Sequence, residues 1–457
     1  MDQFLNPVFI LNLIKNYYIE TNRIYKLSKK DIQKYQDKAL KNVVKDAFSV
    51  PLYYEKYKKA GIIPSDITGI KDIKKLPLIT KDDIRNNFPN NIVSRDFDKN
   101  NGFLMSTSGS TGKPVFIYCD RYSSIKRLFA NVIELKAYGG NWFKSKIALI
   151  IDLESGSVES TVFSESIYPF LRKFLPLKNL KYIHIGKKPE NITKELEDFK
   201  PEFIGTDPNM LRELAFLKNQ GFGKDINPRI IMSSGSMLDD YTRIYIQKAF
   251  NSKVLDVYGS TEAGSIAFEC LKGNYHVLSD YVFLEVLDED NQDVKNGKTG
   301  KLVVTRLYGN GTPIIRYLGN EDYMIPLEKK CDCGLNTQVL KKIEGRQTDM
   351  IILPDGKMFS PLNLTGIPAK IMDDYKTYKI KQFQIIQHSK NNIEVLVVFN
   401  KNLRNIGPKV EMILKEMKNR FQEKIGPNIN ISVNEVDEIK KEKRADYVKV
   451  VISKVKQ

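Results

Sequence analysis

The most diagnostic segment of this chain is Ser106-Thr107-Ser108-Gly109-Ser110-Thr111-Gly112-Lys113-Pro114, which follows the apolar Phe103-Leu104-Met105. Its glycines allow a tight backbone that brings N–H groups close to a ligand. Its hydroxyls and its lysine add donors that suit a polyphosphate. A Walker A loop needs four residues between its first glycine and the Gly-Lys pair, but only Ser110 and Thr111 separate Gly109 from Gly112. On these residues alone, a phosphate-binding loop and a flexible Ser/Gly linker both remain open.

The length of 457 residues predicts two or three domains, because a single core rarely grows that large. A composition of 42% hydrophobic and 28% charged residues is typical of a folded soluble protein. The chain start lacks the basic residues and the apolar run of a signal peptide. No apolar run reaches the length of a membrane span. These features predict a cytoplasmic protein without a membrane partner.

The net charge of +17 raises the question of an anionic partner. The lysines are spread along the chain, often beside Asp or Glu, and their one local concentration is at residues 440–444. No helix-turn-helix, RNA-binding sheet or basic-zipper pattern accompanies them. A solvated basic surface is therefore favoured over nucleic-acid binding, and we expect no nucleic-acid partner.

Short apolar runs alternate with helical segments through the first part of the chain. These runs lie at residues 146–151, 229–232 and 254–258, and residues 115–118, just after the opening loop, are predicted as a separate strand. Buried parallel strands have such continuous apolar runs, and their alternation with helices indicates an α/β body with a parallel sheet.

The region before these runs has a helical pattern from Ser28 to Gly61, interrupted by Pro51. An extended arm is predicted to begin at Asp72. Thr80, with Asp83 three residues later, indicates the start of the next helix.

The pattern changes after Tyr281. Residues 282–287 and 301–305 alternate apolar and polar positions and flank a polar turn, which predicts an antiparallel β unit. The tail from about Met350 combines strand patterns with an amphipathic helix at residues 408–425.

We therefore predict an α/β protein of two unequal domains. Residues 1–347 would form a large N-terminal domain with mixed or parallel sheets and the β unit. Residues 348–457 would form a small, mobile α+β C-terminal domain, with a hinge near Asp349.

A second glycine cluster, Tyr258-Gly259-Ser260-Thr261-Glu262-Ala263-Gly264, follows an apolar strand. Open α/β sheets bind ligands at this end of their strands. The cluster offers an aromatic face, a hydroxyl and a carboxylate suited to a metal ion. Arg316-Tyr317-Leu318-Gly319-Asn320-Glu321-Asp322 and Gly345-Arg346-Gln347-Thr348-Asp349 come next. Each fragment alone fits a turn or a surface charge pair, but their order is a far more specific signal.

In this order the motifs resemble those of the acyl-adenylate-forming superfamily, and within it the phenylacetate–CoA ligase-like branch, which includes capsule-biosynthesis relatives. The resemblance covers almost the whole chain, from the helical N-terminal region and the arm Lys75-Leu76-Pro77-Leu78-Ile79-Thr80-Lys81 to the final Val451-Ile452-Ser453-Lys454-Val455. It implies an AMP-forming acid ligase that uses ATP and Mg²⁺.

The resemblance also implies a nucleotide site. The opening loop would close over the β- and γ-phosphates, Tyr258 would stack on the adenine, and Asp322 would accept hydrogen bonds from both ribose hydroxyls. Arg346 would reach the ribose or the phosphate from the hinge. The implied nucleotide-binding set is Thr107, Ser108, Gly109, Ser110, Thr111, Gly112, Ser234, Gly235, Ser236, Tyr258, Gly259, Asp322 and Arg346.

Three residues are implied in catalysis. Lys113 would contact the phosphates, Thr261 would contact the α-phosphate, and Glu262 would bind magnesium. Attack of a carboxylate on the α-phosphate of MgATP gives an acyl-adenylate and pyrophosphate, which makes AMP a leaving group for a later thiol or amine. Such catalysis consists of positioning and charge neutralisation and needs no side-chain nucleophile.

The C-terminus departs from the family pattern. Relatives carry a lysine behind a glycine that reaches the carboxylate and the α-phosphate, but Asp446 and Tyr447 stand at the expected place. Lys443, Arg444 or Lys449 could replace it through a shifted loop. Slow or lost adenylation is the other interpretation, and the residue that fills this role is left unassigned.

Three of the four cysteines and one histidine together make a ligand set suited to zinc. Cys331 and Cys333 form a tight pair, and His276 follows Cys270 by six residues. Three thiolates and an imidazole make a closed tetrahedral Zn²⁺ set, and branch relatives often place cysteines and histidines similarly. Unrelated reduced thiols remain the alternative. Cys119 follows a strand and is expected in the core.

The acyl acceptor stays open in the sequence. We expect a small-molecule carboxylic acid as substrate and CoA as acceptor. The alternatives are an amine acceptor, as in an amide ligase of polysaccharide biosynthesis, and a nucleotide-binding protein that has lost adenylation. A homodimer is a further open alternative. The acyl pocket is expected between Tyr138-Gly139-Gly140-Asn141-Trp142 and residues 152–166, beside Tyr258.

Overall fold

A computed structural model of the protein describes residues 7–99, 102–107, 114–154, 157, 160, 178–346, 350–356, 358–440 and 450–455. Its helices in these ranges are α1 Pro7–Lys26, α2 Lys29–Ala47, α3 Pro51–Lys59, α4 Lys81–Asn87, α5 Arg121–Ala137, α6 Pro189–Phe199, α7 Pro208–Asn219, α8 Asp240–Phe250, α9 Leu362–Thr365, α10 Ile367–Asp374 and α11 Val410–Ile425.

The strands of the large domain are β1 Gly102–Ser106, β2 Phe116–Asp120, β3 Ile147–Ile151, β4 Leu180–His184, β5 Phe203–Thr206, β6 Ile230–Ser233, β7 Lys253–Ser260, β8 Gly264–Glu269, β9 Tyr275–Val277, β10 Val282–Leu287, β11 Gly300–Arg306, β12 Asp322–Leu327 and β13 Val339–Arg346. Those of the small domain are β14 Ile351–Ile352, β15 Met358–Phe359, β16 Ile380–Ser389, β17 Asn392–Phe399, β18 Asn430–Glu435 and β19 Val451–Ser453.

The helical N-terminal region follows its local signals. The Ser28 side chain accepts from the backbone N–H of Asp31 at the start of α2, and Pro51 opens α3, where its missing N–H costs nothing. The Thr80 hydroxyl accepts from the Asp83 N–H, and the Asp83 carboxylate accepts from the Thr80 N–H, which forms the predicted capping box of α4.

The prediction of an extended arm from Asp72 is wrong for the first residues of the arm. Residues Ile70–Lys75 form a 3-10 helix, and only the residues that follow it are extended. The cause is local: the Asp72 carboxylate accepts from both the N–H and the hydroxyl of Thr68, at 2.8 and 2.6 Å, and Lys75 pairs with it at 2.8 Å. Such side-chain bonds favour a turn over an extended backbone.

Replacing Thr80 by alanine should lower the free energy of unfolding by about 1 kcal/mol, because the cap of α4 loses its side-chain acceptor. The shift of the urea midpoint measures this loss. An unchanged midpoint would mean that the Asp83 half of the capping box is sufficient for the helix start.

One large sheet forms the body of the large domain. Within the described ranges its eleven strands run in the order β10-β11-β12-β13-β9-β8-β7-β6-β5-β3-β4. The pairs among β3, β4, β5, β6 and β7 are parallel, as predicted, and β10 and β11 pair antiparallel, as predicted. β7 joins the two halves, because it pairs parallel with β6 and antiparallel with β8. The predicted β unit therefore continues the parallel sheet.

The antiparallel hairpin of β1 and β2 flanks the opening loop. Its last paired residues are Ser106 and Phe116. Thr107 accepts the Val115 N–H on its hydroxyl at 3.0 Å and donates its own N–H to the Val115 carbonyl at 3.0 Å. These bonds hold together the two ends of the loop at residues 108–113, which lies outside the described residues.

The small C-terminal domain has its own four-stranded sheet, ordered β18-β17-β16-β19, with α11 packed against it. It meets the large domain at α8. Tyr241 on α8 donates to the Ile380 carbonyl at 3.0 Å, and its ring contacts the Phe383 ring edge-on at 5.2 Å. Among the described helices of both domains, none is long and apolar enough to cross a membrane.

Candidate active site

The second glycine cluster lies where the parallel and antiparallel halves of the large sheet meet. β7 runs two residues further than the predicted strand at residues 254–258, through Gly259 and Ser260, and residues 261–263 form the turn into β8. A side chain at Gly259 would place its Cβ 2.7 Å from the Gly264 carbonyl oxygen, so the two strands close only around a glycine.

Two arginine side chains form hydrogen bonds with the backbone of this turn. Arg127 on α5 donates to the Thr261 carbonyl at 2.6 Å, and Arg306 at the end of β11 donates to the Glu262 carbonyl at 2.9 Å. The Ser260 hydroxyl accepts from the Ala263 N–H at 3.1 Å. Both catalytic candidates of the turn therefore have a fixed backbone. Sequence reasoning missed both arginines, because neither stands in a motif.

The Glu262 carboxylate is buried, with 3% of the residue exposed. The hydroxyl of Tyr317 donates to its Oε1 at 2.8 Å. Tyr317 stands in the motif at residues 316–322, but only Asp322 of that motif was assigned a role. A single buried carboxylate is one of the few protein ligands that Mg²⁺ takes beside the phosphates of its nucleotide, so the donor fits the implied metal.

Asp322 and Tyr258 lie in direct contact. The Tyr258 hydroxyl donates to Asp322 Oδ2, and the Asn320 amide donates to the Tyr258 hydroxyl at 3.4 Å. Asn320 is buried, and its Oδ1 has no hydrogen-bond partner among the described atoms. The sequence analysis assigned no role to Asn320 either, although it carries an amide and lies two residues before Asp322 in the same motif. The two residues implied in adenine and ribose binding thus share one polar cluster.

The remaining nucleotide-binding candidates lie on or directly after strands of the same sheet. Ser234, Gly235 and Ser236 come directly after β6, which pairs with β7, and Gly235 has a φ of +86°. Asp322 and Arg346 are register partners across β12 and β13.

Several predicted positions lie outside the described residues. They are Ser108, Gly109, Ser110, Thr111, Gly112, Lys113, Asp349, Lys443, Arg444, Asp446, Tyr447 and Lys449. Of Arg346 the structure describes only the backbone. In the expected acyl pocket, residues 155, 156, 158, 159 and 161–166 are also outside the described part, and Trp142 is buried in the main core.

The four zinc candidates come together at one end of the antiparallel half. The donor atoms of Cys270, His276, Cys331 and Cys333 all lie within 4.8 Å of one another. Cys270 follows β8, His276 lies on β9, and the cysteine pair lies between β12 and β13. Cys119, by contrast, is buried in the core, as expected.

The chemistry of this cluster fits a cation. Burial raises the pKa of the Cys333 thiol to about 12, so holding it as a thiolate requires a positive charge. Burial lowers the pKa of His276 to about 4, which keeps its ring neutral, the form that binds metals. His276 Nδ1 lies 3.0 Å from the Thr337 hydroxyl, and the Asn274 amide donates to Cys331 Sγ at 3.4 Å. Partners of this kind orient the ligands of protein metal sites.

Comparisons with known proteins agree in sequence and in fold. A family model described as the CapK C-terminal domain matches residues 352–454. The chain is 26% identical over 435 residues to Protein CapK of Staphylococcus aureus, which covers 93% of this chain and 90% of that protein. It is 25% identical over 365 residues to the phenylacetate-coenzyme A ligase of Pseudomonas putida, covering 77% and 79% of the two chains.

A solved structure of 2-hydroxyisobutyryl-CoA ligase, in the postadenylation state with an acyl-AMP, shares the fold. Its TM-score is 0.77 at 18% identity, and the match covers 93% of this chain and 90% of that one. The matches span both domains, in agreement with the order of motifs. The chain is therefore similar over most of its length to CapK and to phenylacetate–CoA ligases, its C-terminal part matches the CapK C-terminal domain family, and it has the fold of AMP-forming acid ligases.

Proposed function

We propose that this protein activates a small-molecule carboxylic acid with MgATP, releases pyrophosphate, and transfers the acyl group from the acyl-adenylate to CoA. One observation carries the proposal: Tyr258, Thr261, Glu262 and Asp322 lie together where the parallel and antiparallel halves of the large sheet meet. An aromatic face, a ribose acceptor and a metal-binding carboxylate are the groups that a bound nucleotide needs.

In this proposal each group has a defined task. Asp322 holds the ribose hydroxyls, Tyr258 lies against the adenine bordered by Ser234, Gly235 and Ser236, and Thr261 orients the α-phosphate. Glu262 holds Mg²⁺, whose charge offsets that of the phosphates. The loop from Thr107 to Lys113 encloses the terminal phosphates. All of these groups position and neutralise, which is the main requirement of phosphoryl and adenylyl transfer.

We also propose that the domain boundary lies between residues 347 and 348 and that the small domain turns about a hinge near Asp349. The separate sheet of the small domain supports this boundary, as does the start of the matching family model at residue 352. Arg346, three residues before Asp349 in the sequence and the register partner of Asp322, would then link the moving domain to the ribose.

For the cluster of Cys270, His276, Cys331 and Cys333 we propose a structural Zn²⁺. Three sulfurs and one imidazole are a closed tetrahedral set with no position left for a substrate. The task of such an ion is to join the β8–β9 and β12–β13 connections. For the compartment, the cytoplasm remains our prediction, and it suits the reduced state of these thiols.

Release of pyrophosphate from ATP across a panel of carboxylic acids tests the proposed activity. Release with at least one acid, followed by thioester formation when CoA is added, is the expected result. Transfer to an added amine instead of CoA would identify an amide ligase. Tight ATP binding without release for any acid would favour a nucleotide-binding protein and reject the enzyme.

Replacing Lys113 by alanine should lower kcat/KM for ATP about tenfold, which is the contribution of one hydrogen bond to a charged phosphate. The initial rate of pyrophosphate release against ATP concentration measures this change. Lys298→Ala, in the exposed turn between β10 and β11, is the matched control for loss of one positive charge. Equal rates for both variants would remove Lys113 from the site.

A further inference from the structure

Tyr317 is a fully buried tyrosine. Its N–H donates to the Val304 carbonyl at 2.9 Å, and its carbonyl accepts the Val304 N–H at 3.0 Å. The backbone of Gly319 packs on the ring so closely that a Cβ there would lie 2.1 Å from the ring atom Cζ. The ring is therefore tightly packed.

The hydroxyl of this ring is directed at Glu262, to whose Oε1 it donates at 2.8 Å. A tyrosine hydroxyl has an ordinary pKa of about 10, so it is protonated at neutral pH and can donate this bond. Because Arg306 fixes the Glu262 carbonyl, the glutamate is held at its backbone and at its carboxylate.

The segment from Lys74 to Ile79 forms hydrogen bonds with the two residues that flank Tyr317. Ile79 donates its N–H to the Arg316 carbonyl at 2.9 Å and accepts the Leu318 N–H at 2.8 Å. The Arg316 guanidinium donates to the carbonyls of Leu76 and Lys74 at 2.6 and 3.3 Å.

Arg316 itself has a φ of +47°, a conformation that a side chain rarely adopts unless its surroundings impose it. Its guanidinium forms a buried two-bond pair with Glu285, at 3.0 and 2.8 Å. This kink turns the Arg316 side chain toward the arm and the next side chain toward Glu262.

We propose that Tyr317 is a positioning residue that fixes the Glu262 carboxylate for the divalent ion of MgATP, and that the segment from Lys74 to Ile79 fixes the orientation of Tyr317. The proposal rests on the proposed function, in which Glu262 is the metal ligand. Without the hydroxyl, the carboxylate can rotate away from the phosphates, and the ion binds a ligand that is no longer preorganised.

The test is Tyr317→Phe, which removes only the hydroxyl. Tyr57→Phe is the matched control, because Tyr57 is also buried and its hydroxyl has no hydrogen-bond partner among the described atoms. Binding of Mn²⁺ in the presence of α,β-methylene-ATP gives a readout without turnover. The Kd for Mn²⁺ should rise about tenfold in Tyr317→Phe and stay unchanged in Tyr57→Phe, as expected for loss of a partner that orients a metal ligand.

The Mg²⁺ dependence of pyrophosphate release gives the second readout. At saturating ATP the half-saturating Mg²⁺ concentration should rise by the same factor, while excess Mg²⁺ restores most of kcat. A lower kcat with unchanged metal dependence, or an unchanged Kd for Mn²⁺, would reject the positioning role. Absence of pyrophosphate release in the unaltered protein would reject the proposed function instead.

If Tyr317→Phe does not fold, 3-fluorotyrosine at position 317 keeps the hydroxyl and the packing. Its fluorine resonance should broaden when Mn²⁺ is added with the ATP analogue, since Glu262 lies in hydrogen-bond contact with this ring. A resonance unaffected by Mn²⁺ would place the ion elsewhere and overturn the inference.

Discussion

Replacing Asp322 by alanine should lower kcat/KM for ATP by about 10²–10³-fold. A hydrogen bond to a charged group contributes about 1.5–3 kcal/mol, and the proposed role gives this carboxylate two bonds from the ribose. At the lower end of that contribution their loss is about 3–4 kcal/mol together, which corresponds to the stated fold-changes. The bond from Tyr258 occupies only part of the carboxylate, because its two oxygens offer about four acceptor sites. Ribose and tyrosine can therefore be bound together.

The measurement is the rate of pyrophosphate release against ATP concentration, with the dissociation constant of ATP from direct titration. Asp290→Ala is the matched control, because Asp290 is exposed in the turn between β10 and β11. Tyr258→Phe separates the two contributions: it removes the hydroxyl bonded to Asp322 and keeps the aromatic face. An Asp322→Ala variant with unchanged ATP affinity would contradict the assignment of the nucleotide site.

The fold was predictable where the burial of a strand alone determines the apolar pattern of its sequence. The apolar runs at β3, β6 and β7 are parallel strands because both faces of each are covered, and the alternation at β10 and β11 gave the antiparallel pair. The joining of both halves through β7 was not predictable, since the choice of neighbour depends on contacts between distant segments. The prediction for the first part of the arm was wrong because of local contacts. Thr68 and Asp72 form hydrogen bonds that the periodicity of apolar residues does not reveal.

The candidate site was predictable where its residues stand in motifs, which supplied Glu262 and Asp322 together with the family. The supporting residues act across long separations in sequence. Arg127 is 134 residues from the carbonyl that it holds, and Tyr317 is 55 residues from Glu262. No spacing rule connects such pairs, because only the folded sheet brings them together.

Replacing Cys331 by serine should release the proposed zinc and lower the melting temperature by about 5–10 °C. Binding free energies of structural zinc reach about 10–16 kcal/mol, and loss of even about 3–4 kcal/mol shifts a domain of this size by several degrees. The effect should extend to the nucleotide site. His276 on β9 is the register partner of Val339 at the start of β13, and the other end of β13 pairs Arg346 with Asp322. A looser β13 should therefore also weaken ATP binding.

Metal content by atomic emission and thermal unfolding with and without a chelator measure the two effects. Cys119→Ala is the matched control, because Cys119 is a buried thiol outside the cluster of Cys270, Cys331 and Cys333. It should keep one equivalent of zinc, and its melting temperature should still fall on treatment with the chelator. For Cys331→Ser the chelator should have no further effect, because the ion is already lost. Full zinc content in Cys331→Ser, or a chelator-insensitive melting temperature in the unaltered protein, would show that these thiols do not hold a structural ion.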